Sequence, residues 1–320
     1  MEYIDRTLTG EPDLMPLHLQ PLAQLYQEYL TALDALQDMG VRIDGTRLAR
    51  YSEILDRAII AEQSELTEHQ QDNGFLNAII EAVDITDIAA LNPNVFQDGE
   101  VLRKLRQVSD GREFMSVEGS DRARDYAFEF SAAAALHRKN QFGGFSPNGG
   151  DITVGRERWP AECKRLSSLN RLEQRLRKAR TQLDGQQYEF GGPPGVIVID
   201  LTKPIRFAQG PINSTTEDEL EETAESHLTA YIARYFRPQW IEMLASPATL
   251  GIMIRYISVG TVVEASSVRR CTVWQAISLH GDDMDENSTF MQIADCFGPG
   301  PLRNITTNEI SEATHRTVIE

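Results

Sequence analysis

Apolar residues recur at three- and four-residue spacing over Leu22, Leu25, Tyr26, Tyr29, Leu30, Leu33 and Leu36. That is the periodicity of one buried face of an amphipathic helix. The same pattern predicts a second helix from Thr46 to about Glu65 and a third over Phe75 to Val83. After the Asn92–Pro93 interruption it predicts a short helix at Val101–Val108. The polar, glycine-containing stretch from Ser109 to Ser120 then reads as a connection. Residues 1–110 are therefore expected to form a helical N-terminal domain, suited to packing, to a homodimer or to a partner protein. No chemistry stands out within it.

Beyond that connection the period changes. Ser120 is a suitable N-cap for a helix running to about Lys139. Strand signals follow at Gln141–Ser146, Asp151–Gly155 and Trp159–Leu166, and Ser167 or Ser168 can cap a second helix through Leu183. The run PPGVIVIDLTKP is β-branched and apolar and closed by a proline, as a buried central strand would be. The order from residue 120 to 204 is α-β-β-β-α-β, a mixed α/β (α+β) core. Thr215–Tyr235 reads as a long helix with an acidic first half, which favours a helix N-terminus. Gln239–Leu244 adds a turn. Gly251–Val259 and Cys271–Leu279 are expected to pair as a hairpin at the sheet edge, completing a domain over 120–300. Residues 301–320 read as a polar tail. The glycine pairs at 143–144 and 149–150 are expected in turns.

Composition narrows the class. The chain has 320 residues, 41% hydrophobic and 25% charged, without an apolar run near the roughly 20 residues of a membrane span. Its first residues have neither the basic nor the apolar segment of a signal peptide. Cys163, Cys271 and Cys296 are widely spaced, which argues against a disulfide framework or a zinc ribbon and suits a reducing, cytoplasmic setting. The net charge of -17 opposes a nucleic-acid partner, but its distribution does not. From Leu136 to Arg180 there are eleven Lys or Arg against four Asp or Glu, a local +7. Local potential governs contact with phosphate.

The segment DITVGRERWPAECK, from Asp151 to Lys164, carries the densest chemistry. Residues two apart in a strand share a face, so Glu162 and Lys164 point together and Cys163 turns away. With Asp151 on the neighbouring strand, two carboxylates and an ammonium reach one patch. Carboxylate oxygens are hard ligands suited to Mg²⁺ or Mn²⁺, and a lysine beside them can hold or activate a water. Upstream, Tyr126, Glu129, Ala133 and Leu136 share one side of their helix. Glu129 thus sits at the edge of a buried stripe, where a carboxylate needs compensation from a lysine, a metal-bound water or a nearby arginine. Downstream, Arg171, Arg175, Lys178 and Gln182 line the flank of the helix whose buried stripe is Leu169, Leu172, Leu176, Ala179 and Leu183. Such a row can engage phosphates, and is also what a solvated helix face looks like.

An acid on the first helix, an Asp entering a strand, and Glu-x-Lys on the next strand, followed by a helix and a strand, resemble the PD-(D/E)xK nuclease superfamily. The resemblance covers about 85 residues from Ser120 to Pro204. Gly150 stands where the motif's proline would be. The Gln-x-x-x-Tyr spacing of the RecB-like branch is absent, since Gln182 and Tyr188 are six apart. The resemblance implies a restriction-endonuclease-like core and metal-dependent phosphodiester hydrolysis, with DNA ahead of RNA as substrate. Asp151, Glu162 and the main-chain carbonyl of Cys163 would bind Mg²⁺ (or Mn²⁺). Glu129 would act through a water or a second ion, and Lys164 would orient or deprotonate the attacking water and offset phosphorane charge. Arg171, Arg175 and Lys178 would contact nucleic acid, with Gln182 in support. The alternative is a catalytically inactive nucleic-acid-binding or interaction protein on the same fold.

Overall fold

A computed structural model describes residues 20–60, 73–111, 122–146, 151–166, 168–209, 212–236, 238–265, 267–280 and 284–297. The N-terminal periodicity gives α1 (Leu22–Asp38), α2 (Arg47–Ile60) and α3 (Asn73–Ala89). A 3-10 turn at Pro93–Phe96 and α4 (Gly99–Arg106) follow. Asp98 starts α4 by accepting from the amides of Glu100 and Val101. Then come α5 (Arg122–Arg138), β2 (Phe142–Phe145), β3 (Ile152–Val154), β4 (Trp159–Arg165), α6 (Leu172–Phe190) and β5 (Gly195–Asp200). These elements stand in the α-β-β-β-α-β order expected. The chain continues through α7 (Thr202–Gln209), β6 (Ile212–Ser214), α8 (Glu217–Tyr235), α9 (Pro238–Leu244), β7 (Thr249–Val262), β8 (Ser267–Ser278) and α10 (Met284–Phe297).

One mixed sheet organises the molecule, in the order β1-β8-β7-β5-β4-β3-β2, where β1 is Gln20–Pro21 and β6 runs beside β7. Neighbours β2, β3 and β4 are antiparallel, whereas β4–β5 and β5–β7 are parallel. Alternation along the strands feeds two cores. Val196, Val198, Met253 and Ile257 enter the cluster that contains α1 to α5 and α10. Ile197, Ile199, Ile252 and Ile254 enter the cluster under α6, α7 and α8. Each such fully buried aliphatic contributes roughly 1.5–3 kcal/mol. The helices before residue 110 and the first face of the sheet thus share one buried apolar cluster. No helix among the described residues is long and apolar enough to cross a membrane.

Several local expectations change. The β7–β8 pair is a hairpin, but β7 lies inside the sheet beside β5 and β8 is covered further by β1. Ser168 does not cap α6: a 3-10 turn at Leu169–Arg171 intervenes, and Arg171 takes the cap position without a side-chain bond. Pro204 falls in the first turn of α7, where a missing amide costs nothing, rather than closing β5 into a loop. Gly143 and Gly144 lie within β2 at a register shift, not in a turn. The helix α10 has no counterpart in the sequence reading. It packs so close to β7 that a Cβ on Gly251 would come within 2.1 Å of the Phe290 ring. Ser120, Ser167, Gly149, Gly150 and the 301–320 tail lie outside the described residues.

Candidate functional site

The β3–β4 hairpin places the acids. Ile152 pairs with Ala161 in register, and the Asp151 amide donates to the Ala161 carbonyl at 3.0 Å. Asp151 and Glu162 therefore stand beside each other on adjacent strands. Gly155 (φ +69°) supplies a left-handed residue in the turn that fixes this register. The Asp151 carboxylate is oriented by the Cys163 amide, which donates to Oδ2 at 2.7 Å.

Lys164 lies at the centre of the constellation. Its Nζ donates to Glu162 Oε2 at 2.5 Å and to the Cys163 carbonyl at 3.0 Å, and reaches Asp151 Oδ2 at 3.4 Å. The three oxygens expected to ligate a cation thus converge on one positive centre. Glu162 is fully buried, whereas Asp151 and Lys164 keep 15% and 9% side-chain exposure. Burial alone would lower the Lys164 pKa, but Asp151 and Glu162 outweigh it and push it up. The ammonium is thus held beside both carboxylates, where it can act on a water and offset charge.

Glu129 is close to this group but not hydrogen-bonded into it. Its Oε2 accepts from Lys104 Nζ at 2.8 Å. Burial and the charge of Asp151 push the Glu129 carboxyl up to about 8, against the opposing pull of Lys104 and Lys164. The compensation that a buried acid requires is thus supplied by a lysine of α4. Lys104 is the residue the sequence reading missed. It lies in the segment judged to carry no chemistry, and nothing local separates it from its neighbours Arg103 and Arg106. Around Lys164 itself, the carboxylates of Asp151 and Glu162 outnumber the one ammonium, while Glu129, raised to about 8, holds its proton near neutral pH.

The basic row lies on α6. Arg171 and Lys178 are exposed and Arg175 is half-buried, and among the described residues none forms an ion pair with the site. Gln182 is half-buried, and its Oε1 is buried without a hydrogen-bond partner. One turn on, Gln186 donates to Ser146 Oγ at 3.5 Å. Gln186 therefore faces the end of β2.

On the other face of β4, Arg165 meets a closed ring of charges. It contacts Asp84 of α3 at 3.0 Å and Asp200 of β5 at 3.4 Å. Arg255 of β7 contacts the same two carboxylates at 2.9 and 2.8 Å. The ring is essentially dry and neutral, and Arg165 supports structure as its opposite orientation suggests. Beside it, Glu81 is held between Arg47 and Arg124. Burial would raise the Glu81 carboxyl, yet Arg124 and Arg47 together bring it down to about 2.

Among the described residues, no three His, Cys, Asp or Glu side chains close into a metal cage. Mg²⁺ does not require one, since it keeps several waters and is held by one or two carboxylates. Two carboxylate oxygens and a carbonyl oxygen already grouped about a cationic nitrogen are a donor set of that kind. Comparison of the chain with protein-family models, with curated proteins and with solved structures finds no match.

Proposed function

We propose that the protein is a metal-dependent nuclease of the PD-(D/E)xK type, with DNA ahead of RNA as substrate. The observation that carries this reading is the convergence of Asp151 Oδ2, Glu162 Oε2 and the Cys163 carbonyl on Lys164 Nζ. The element order α5-β2-β3-β4-α6-β5, with β4 parallel to β5, supports a restriction-endonuclease-like core around it. Asp151, Glu162 and the Cys163 carbonyl are the groups that would hold Mg²⁺ or Mn²⁺. When bound, such an ion polarises the scissile phosphate and lowers the pKa of water. Lys164 orients or deprotonates the attacking water and offsets charge that builds on the phosphorus-bound oxygens. Glu129, tied to Lys104, would act through a water or a second ion from the helical side. Arg171, Arg175 and Lys178 offer α6 to the backbone of a long substrate.

Incubation with supercoiled plasmid and with RNA, in Mg²⁺, Mn²⁺ or EDTA, tests the reading. Cleavage is expected with either ion and none with EDTA. Asp151→Ala and Lys164→Ala are each expected to reduce it on the order of 10²–10³-fold, the usual loss for a preorganised charge-stabilising group. Undiminished cleavage in both variants would place the chemistry elsewhere. Salt-dependent binding without cleavage in any metal would instead favour the non-catalytic nucleic-acid-binding alternative.

A further inference from the structure

Of the five charged side chains gathered at the site, Lys104 alone comes from the helices before residue 110. Val101 and Leu105, one turn apart on α4, are buried in the apolar cluster shared with the sheet. Lys104 lies beside that stripe, so its stem runs along the edge of the core and its ammonium reaches α5. There Nζ donates to Glu129 Oε2 at 2.8 Å and stands 5.4 Å from the centre of the Tyr126 ring. Tyr126 and Glu129 are three apart and share one side of α5, which holds the ammonium at two points.

The two lysines of the site use their donors differently. An ammonium carries three N–H groups. Those of Lys164 meet three acceptors: Glu162 Oε2, the Cys163 carbonyl and Asp151 Oδ2. Lys104 meets one, Glu129 Oε2, and among the described residues its other two N–H groups have no protein acceptor. Its side chain is also the most open of the five, 21% exposed against 15% for Asp151 and 9% or less for Glu129, Lys164 and Glu162. The spare donors therefore lie where a ligand entering from solvent can reach them. They are also near the oxygens expected to hold the cation, since the charge of Asp151 acts on both Lys104 and Glu129.

Charge-assisted hydrogen bonds from an ammonium to phosphate oxygens are strong and carry no sequence information. We propose that Lys104 is a substrate-binding residue of this site, donating its two spare N–H groups to a backbone phosphate of the DNA on which the site acts. The inference rests on the nuclease reading for the identity of the substrate. It gives the helices before residue 110 a part in the chemistry, because they supply a phosphate contact that neither the β3–β4 hairpin nor α5 provides.

The test is binding of a fluorescently labelled DNA duplex to the full chain, in Ca²⁺ and in EDTA, read by anisotropy over a range of salt concentrations. Lys104→Met is expected to weaken binding roughly fivefold and to lower the slope of log K against log salt by about 0.9, the loss of one phosphate contact. Lys104→Arg should keep the natural slope. The double variant Lys104→Met with Glu129→Gln no longer leaves a buried acid without its partner, and measured against Glu129→Gln it should show the same reduced slope. It carries the test if Lys104→Met alone is too unstable to assay. An unchanged slope in Lys104→Met, or a natural slope in the double variant, would overturn the assignment and leave Lys104 as a support for Glu129. Absence of DNA binding by the natural chain would overturn it too. The two readings fail separately: plasmid cleavage with an unchanged slope removes only this contact, and binding through Lys104 without cleavage removes only the nuclease.

Discussion

Lys164 and Arg165 are neighbours on β4, yet they belong to opposite kinds of charged cluster. Arg165 enters a ring of two arginines and two aspartates in which every charge has two partners and the side chains are at most 5% exposed. Lys164 enters a group with surplus negative charge, oxygen donors aimed at one point, and a partly exposed rim. The first arrangement balances its two positive and two negative charges within itself. The second has the electrostatic profile of a place where another cation can enter. Buried charge by itself therefore does not mark a functional site; incomplete neutralisation by hard donors does.

Breaking the ring should have the largest effect. Asp84→Ala leaves Arg165 and Arg255 short of one shared carboxylate and is expected to destabilise the fold by ~3–5 kcal/mol, measured by denaturant unfolding. A loss under 1 kcal/mol would mean that the ring is not a structural lock. Glu81 gives the next effect, through pH. Its folded pKa of about 2 lies below the ordinary 4.5, so its contribution is full above about pH 4.5 and is lost as pH falls toward 2. That shift corresponds to about 3 kcal/mol. Stability measured from pH 6 to pH 2 should fall more steeply in the natural chain than in Glu81→Gln. Parallel curves would remove Glu81 from the acid response.

The smallest effect sharpens the other side of the comparison. Lys164→Met removes the ammonium on which the three oxygens converge and leaves Asp151 and Glu162 facing each other. Mg²⁺ or Ca²⁺ should then stabilise the variant by about 2.7 kcal/mol at a hundredfold excess over its Kd, and the natural chain by less at the same concentration. Asp84→Ala should keep the metal response of the natural chain. Equal responses in all three proteins would show that the oxygens are not a cation site.

The strands and the pairing of Asp151 with Glu162 and Lys164 could be read locally, because period-two alternation and a short turn determine which residues meet. The α5 helix could be read only in part. Its sequence shows a stripe containing Glu129, but the helix is buried nearly all round, because α3 and α4 cover the side that a two-layer reading leaves to solvent. Lys104 reaches Glu129 across 25 positions of chain, and Arg165 reaches Asp84 across 81. No periodicity encodes such partners. The basic row on α6 is visible as a pattern, but whether it meets the carboxylates depends on how the helix is turned on the sheet, which no local pattern encodes.

The alternation on β4 also bears on how the site could be lost or changed. A slip of one residue would carry Arg165 to the face of Asp151 and Lys164 to the face of Asp84. Neither exchange is neutral: the lysine cannot bridge two aspartates as the forked guanidinium does, and the arginine would crowd the converging oxygens. The ion ring thus acts as a ratchet pawl for the strand, fixing its phase and, with it, the identity of the reactive face. Drift in the chemistry of this site is therefore free to proceed by substitution, but not by insertion or deletion within β4.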